Sequence, residues 1–355
     1  MLATLAASVL SLTMPPVSPT GVANRLWSWR GFDIRYQCLG EDNDGPACLL
    51  VHGLFVNADH WRRSLPALAD AGFRVYAIDL LGSGYSSKPY PTSVEARAAS
   101  GENGRSLGAP EQVIGSASGE SLPARAVPLA HPVEGSVYNF YTWAEQLAEF
   151  TSEVIGAERG ATLVANSIGT ISALQAAVDR PELFRGVFVV NPNFRELHAA
   201  EQPDWVRPIA MPIINAVQRT LRENGQGLFD SLANPPTVKS ILKEPYYDAA
   251  QVTDELVDVL LTPLLSDGAA DVCFDTLSYS AGPLPEPLLA DERLAAPVQI
   301  VYGEKDPWTP NARVRALERF ESVKGVIGLP GVGHCPHDEA PQLVNPLIVD
   351  FVKGL

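Results

Sequence analysis

"ATLVANSIGTISALQAA", residues 161–177, is the stretch whose reading decides the fold. An apolar run ends at Asn166, Ser167 follows, and a helical pattern begins at once with Ile168 and Gly169. Serine caps many helices, so Ser167 reads either as an ordinary cap or as a hydroxyl carried on a sharp strand-to-helix turn. The pentapeptide Ala165-Asn166-Ser167-Ile168-Gly169 approximates G-x-S-x-G, in which the outer positions are small because the turn brings strand and helix backbones together. Such a turn lifts its serine to the carboxyl edge of a parallel sheet, where α/β proteins place ligands.

Outward from this stretch the same alternation recurs. "PACLLVHG" (46–53), "RVYAIDLLG" (74–82), "GVFVVNP" (186–192), "PVQIVYG" (297–303) and "GVIGLPG" (325–331) are near-continuous apolar runs, as expected of strands buried on both faces. Helix patterns such as "ARVRALERF" lie between them, which predicts a doubly wound, mostly parallel α/β sheet flanked by helices. "WSWRGFDIRYQCLG" alternates instead and predicts an antiparallel pair leading into the sheet. Two segments break the rhythm. Residues 91–136 are rich in Gly, Ser, Ala and Pro and read as a solvated, disordered insert. Residues 193–283 carry helix patterns without strands and read as an inserted helical lid. Within it Ile209, Ile213, Val217 and Leu221 fall four apart, and "TDELVDVLL" opens with a capping threonine and an acidic first turn. The expected organisation is a tail over 1–24, a first core segment over 25–192, the lid over 193–283 and a second core segment over 284–355.

Composition narrows the function classes. The 355 residues are 46% hydrophobic and 19% charged, enough to bury a sizeable core. A formal net charge of -15 excludes nucleic acid as a partner, because phosphate contacts need clustered Lys and Arg. It also excludes attachment to anionic lipid by charge, so any membrane contact would be hydrophobic. Cys38, Cys48, Cys273 and Cys335 show no paired or metal-ligand spacing and read as reduced thiols, with no metal site expected. Residues 1–24 carry no charge, and Leu2–Leu12 is too short to cross a bilayer, which fits a flexible or trimmed targeting segment.

A serine hydroxyl needs a base to take its proton and an acid to orient that base. "VQIVYGEKDPWTP" presents Asp306 in a Pro-bounded loop after one strand, and "VIGLPGVGHCPHDE" presents His334 after another. Their order, Ser167, Asp306, His334, is that of the G-x-S-x-G enzymes. Glu304 and His337 are the nearest rivals, the first still against its strand and the second at the start of the final helix. "LLVHGLF" supplies a loop whose Leu54 amide, with that of Ile168, can collect charge on an oxyanion. Phe55, Asn166, Ile209 and Ile213 are the expected substrate-binding side chains.

"LLVHG…HWRRSLPAL", "YAIDLLGSGYSSKP", "LVANSIGTISALQAA" and "GEKDPWTP…GHCPHDEAPQLVNPLI" resemble the α/β-hydrolase superfamily. "WSWRGFDIRYQ", "NFYTWAEQL", "TVKSIL", "DAAQVTDELVDVLL" and "SAGPLPEPLL" resemble its plant and algal branch of chlorophyll dephytylase, pheophytinase and chlorophyllase type. The resemblance runs from about Leu26 onward. It implies Ser167 as nucleophile, His334 as base and Asp306 as its partner, with no cofactor. It further implies hydrolysis of the phytyl ester of chlorophyll, a chloroplast location and room for peripheral contact with the thylakoid membrane. Ala165, Phe55 and Thr170 stand where such relatives often have glycine. A carboxylesterase or lipase on another hydrophobic ester is the alternative, and a triad-retaining ligand receptor is a second. Epoxide hydrolases and haloalkane dehalogenases use an aspartate at the elbow, where this chain has Ser167.

Overall fold

A computed structural model describes residues 13–101, 129–195, 198 and 207–355, with the backbone of 110–111, 114–115, 120–121 and 125–126. The strands of its large sheet are β1 (Asn24–Trp29), β2 (Phe32–Leu39), β3 (Ala47–Val51) and β4 (Arg74–Ile78). They continue with β5 (Ala161–Ser167), β6 (Phe184–Pro192), β7 (Val298–Gly303) and β8 (Val323–Leu329). The spatial order is β1-β2-β4-β3-β5-β6-β7-β8. β2 pairs antiparallel with β1 and with β4, and every other neighbouring pair is parallel. Trp29 stands opposite Phe32, so Arg30 and Gly31 alone make the turn, both with positive φ (49° and 87°). That is the two-residue hairpin whose twist matches its strands.

Side chains of the central strands alternate between two apolar layers. Leu49, Val51, Leu163, Val187 and Val189 enter the larger core, while Cys48, Leu50, Val164, Phe188 and Val190 enter the smaller one. Helices α1 (Leu65–Asp70), α2 (Val94–Ala99), α3 (Phe140–Phe150) and α4 (Gly169–Asp179) follow the first five strands. α3 and α4 cover the first layer; α1 and the closing helix Pro341–Lys353 cover the second.

The expectation of a solvated insert over 91–136 is corrected where the chain is described. Ser93 caps α2, accepting from the Ala96 N–H, and Ala96 and Ala99 are buried in the larger core. Pro110–Glu111 pairs with Arg125–Ala126, and Ile114–Gly115 with Glu120–Ser121. Leu129 packs on Leu284. The remainder, 102–109, 112–113, 116–119, 122–124 and 127–128, lies outside the described residues, as does 1–12 of the expected tail. From residue 13 onward that tail is fastened rather than free: Val17 bridges Ala23, Val22 is buried, and Ser18 donates to Asp59.

Between β6 and β7, the described chain forms α5 (Arg207–Asn224), α6 (Gln226–Leu232), α7 (Pro235–Leu242), α8 (Asp254–Leu264) and α9 (Ala269–Leu277). No strand occurs among the described residues there. Thr253 caps α8 by accepting from the Leu256 N–H. No helix among the described residues is long and apolar enough to cross a membrane.

Candidate active site

The elbow is built by close approach. Ser167 ends β5 with φ +53°, a left-handed conformation that costs a non-glycine residue about 1–3 kcal/mol and is found where function demands it. A Cβ at position 169 would sit 2.3 Å from the His52 carbonyl oxygen, so glycine is required there. Ala165 is fully buried within β5, and its methyl is accommodated. Ile168 is the N-cap of α4, so its N–H falls outside the helical ladder.

Three strand ends then converge. His334 Nε2 lies 2.8 Å from Ser167 Oγ, and His334 Nδ1 lies 2.6 Å from Asp306 Oδ2. Burial pushes the Asp306 carboxyl up, but the His334 hydrogen bond and charge, the Trp308 N–H and the Asn191 amide outweigh it and hold it below the usual carboxylate range. The resulting carboxylate accepts from Nδ1–H, which leaves Nε2 free to take the proton of Ser167. Glu304 is engaged elsewhere, 3.1 Å from Arg315 Nη2. His337 is buried against Trp61 and His60, with ring centroids 4.1 and 4.5 Å away, and burial keeps it neutral well below the usual histidine range.

The loop after β3 completes the site. His52 accepts from the Leu80 N–H through Nε2 at 3.1 Å and meets the Gly53 carbonyl through Nδ1 at 2.7 Å, which fixes the turn. Phe55 sits at φ +57°, which explains in physical terms why glycine would suit that position. Leu54, Phe55 and Ile168 line a cavity of about 40 Å³, roofed by Leu264 of α8 and Val272 of α9 and walled by Trp143.

Three expected substrate-binding side chains do not line that cavity. Asn166 is buried and turned inward, donating to the carbonyls of Val190 (3.1 Å) and His334 (3.3 Å), because the even positions of β5 face the sheet's other layer. Ile209 and Ile213 are 69% and 61% exposed on α5. The helix seats its Ile214, Gln218 and Leu221 side instead, with Gln218 donating to the Leu277 carbonyl of α9. A four-residue spacing identifies a helical face without saying which face is covered.

Sequence reasoning missed two residues. Asn191, at the end of β6 with φ +49°, donates to Asp306 Oδ2 at 2.7 Å while its Oδ1 accepts from the Gly303 N–H. The Trp308 ring stands edge-on to His334, with centroids 4.8 Å apart. The signal for Asn191 was a polar residue closing an apolar strand adjacent to the one that carries Asp306. Among the described residues, no cluster of His, Cys, Asp or Glu is disposed to hold a metal ion.

A doubly wound sheet with an elbow serine, a strand-end histidine and a strand-end acid defines a class, and the comparisons agree. The chain matches the alpha/beta hydrolase family over residues 48–347 and belongs to it. It is similar to the chloroplastic pheophytinase of Arabidopsis thaliana, 27% identical over 339 residues that cover 91% of this chain and 64% of that protein. The chain thus spans less than two thirds of that relative's length. It is also similar to epoxide hydrolase A of Mycobacterium tuberculosis, 25% identical over 350 residues, 93% of this chain and 97% of that one. The crystal structure of Cfl2 from Burkholderia cenocepacia superposes with a TM-score of 0.66 at 19% identity, covering 96% of this chain and 100% of that one, a likeness of fold.

Proposed function

We propose that the protein is a serine ester hydrolase whose substrate is the phytyl ester of chlorophyll or a close derivative, released as chlorophyllide and phytol. The observation that carries the ester chemistry is the unbroken chain of hydrogen bonds from Asp306 through His334 to Ser167. Ser167 Oγ attacks the ester carbonyl as His334 takes its proton, and the amides of Leu54 and Ile168 receive the developing oxyanion. His334 protonates the departing alcohol. It then activates water to release the acid, and the cycle needs no cofactor. The pigment part of the reading is supported by the pheophytinase likeness and by the apolar pocket wall. It puts the protein in the chloroplast, where contact with the thylakoid would be peripheral and hydrophobic in view of the net charge of -15.

A cavity of about 40 Å³ is far smaller than a phytyl chain, so a phytyl ester enters only if α8 and α9 part from the loop at Leu54 and Phe55. That size favours a second reading, a carboxylesterase acting on a smaller hydrophobic ester. Chromatography of chlorophyll a and pheophytin a in mild detergent, with wild type beside Ser167→Ala, separates the two. Dephytylated pigment from wild type alone is the expected result. Intact pigment alongside cleavage of a short chromogenic ester overturns the pigment substrate and leaves the ester chemistry standing.

A further inference from the structure

His334 is held from two sides, and one side belongs to the inserted helices. Its carbonyl accepts from Asn166, a residue of the sheet. Its N–H donates to the carbonyl of Pro245, 2.7 Å away. Pro245 lies in the stretch Glu244–Asp248, which leaves α7 and crosses the loop after β8. The crossing is close: a Cβ at Gly333 would lie 2.3 Å from the Pro245 carbonyl oxygen and 2.7 Å from the Tyr247 nitrogen.

Four further side-chain contacts tie the same stretch down around the histidine. Glu339 accepts from the Gly333 N–H with one carboxylate oxygen and from the Asp248 N–H with the other, each at 2.8 Å. Tyr246 donates its hydroxyl to Asp338 at 2.7 Å and meets His60 Nε2 at 2.9 Å. Asp338 is paired with Arg62 at 2.7 Å. Trp308, whose ring abuts His334, donates Nε1 to Glu244 at 3.1 Å. Glu339 and Tyr246 are buried. Of these groups only Glu339 bridges both chains of backbone, so its two oxygens fix the distance between the strap 244–248 and the residue before His334.

We propose that Glu339 is a positioning residue for His334, clamping the strap 244–248 of the inserted helices to the histidine loop so that the base is aligned only while the strap is seated. The inference rests on His334 acting as the base for Ser167. Glu339 touches neither substrate nor reacting atom and acts through the Gly333–His334 backbone. A glutamine there keeps one carbonyl oxygen but turns an amide NH₂ toward a backbone N–H, so one bond is lost and two donors face each other.

The test compares wild type, Glu339→Gln and Tyr246→Phe on p-nitrophenyl butyrate, with active sites counted by a fluorophosphonate that labels the serine. For Glu339→Gln, kcat per titrated site falls roughly 10- to 100-fold with KM unchanged within about twofold, the signature of a misplaced catalytic group rather than lost binding. Tyr246→Phe keeps the ring and lacks only the hydroxyl one link further out, and its kcat falls about threefold in the same pattern. It carries the test if the first variant does not fold. A merely structural role lowers the melting temperature and the titratable fraction while each titrated site turns over at the wild-type rate, and that result overturns the inference alone. A wild type inert to both ester and fluorophosphonate overturns the ester-hydrolase reading and the inference with it.

Discussion

At the carboxyl edge of the sheet, Ser167, Asp306, His334 and Asn191 are locked by hydrogen bonds of 2.6–2.8 Å and stand at or just beyond the ends of β5 to β8, of which β5, β6 and β7 bury their apolar residues on both faces. In the helices between β6 and β7, Ile209, Ile213 and Val217 point outward with 69%, 61% and 53% of their surface exposed. Every exposed side chain of α5 from Pro208 to Val217 except Asn215 is apolar. One region uses apolar residues to fix a few polar groups against each other. The other leaves apolar residues unspent on packing. The contrast teaches that the sheet edge holds the candidate catalytic groups against one another while the inserted helices keep an apolar face open, with the strap 244–248 joining them.

The largest effect should come from the rigid region. Asp306→Asn removes the charge that holds the His334 tautomer, and kcat on a short ester is expected to fall about 10⁴-fold, read as initial rates on folded protein. A loss under tenfold would mean that another acid, Glu304 for instance, supports the histidine. Next comes the buried charge cluster beneath the site. Arg35 is fully buried and paired with Asp59 at 2.6 Å and Asp79 at 3.0 Å, and Asp79 also accepts from the Ala58 N–H at 2.7 Å. Arg35→Met leaves two carboxylates buried without their cation and is expected to cost about 3–5 kcal/mol in urea unfolding.

The seam between the regions and the inserted segment itself should respond to acid. Burial pushes His60 down to about 4 and His198 down to about 3. His60 meets Tyr246 of the strap, and His198 meets the Gly282 carbonyl. Both are neutral when folded and take up a proton on unfolding once the pH drops below the ordinary histidine value. Stability is therefore full above pH 6.5 and falls as the pH drops toward 4, by up to about 1.4 kcal/mol per pH unit for each histidine. His131 and Asp275 do not add to this, because burial moves the first down to about 4 and the second up to about 6, with opposite effects on stability. Urea midpoints at steps between pH 7 and pH 4 check the slope, and a flat profile would mean that the seam carries no buried neutral histidine. The smallest effect belongs to the open face: Ile209→Ser with Ile213→Ser should shift stability by no more than about 0.5 kcal/mol per site, as at surface positions. A larger loss would show that α5 is covered in solution.

The same contrast explains what the sequence made legible. Strands β3 to β8, the elbow at Ser167 and the order Ser167, Asp306, His334 could be read because buried parallel strands and strained turns restrict residue type locally. Asn191 was less visible, since its value lies in a neighbour 115 residues away that only the sheet order supplies. Glu339 was hidden among acidic residues at a helix start, where a carboxylate has an ordinary explanation. Ile209 and Ile213 could be placed on one helical stripe but not against a partner, because periodicity marks a stripe and not what covers it. The cap of α2 at Ser93 was readable, but its short helix was masked by the Gly, Ser and Ala content around it.

The central claim is that Ser167 carries the acyl group during turnover. Rapid acid quenching of the enzyme with a chromogenic ester, followed by peptide mass spectrometry, tests it directly. The account predicts an acyl adduct on Ser167 that appears before steady state and is absent from Ser167→Ala. Continued turnover with no adduct on Ser167, or with oxygen from labelled water entering an enzyme carboxylate instead of the released acid, would contradict it.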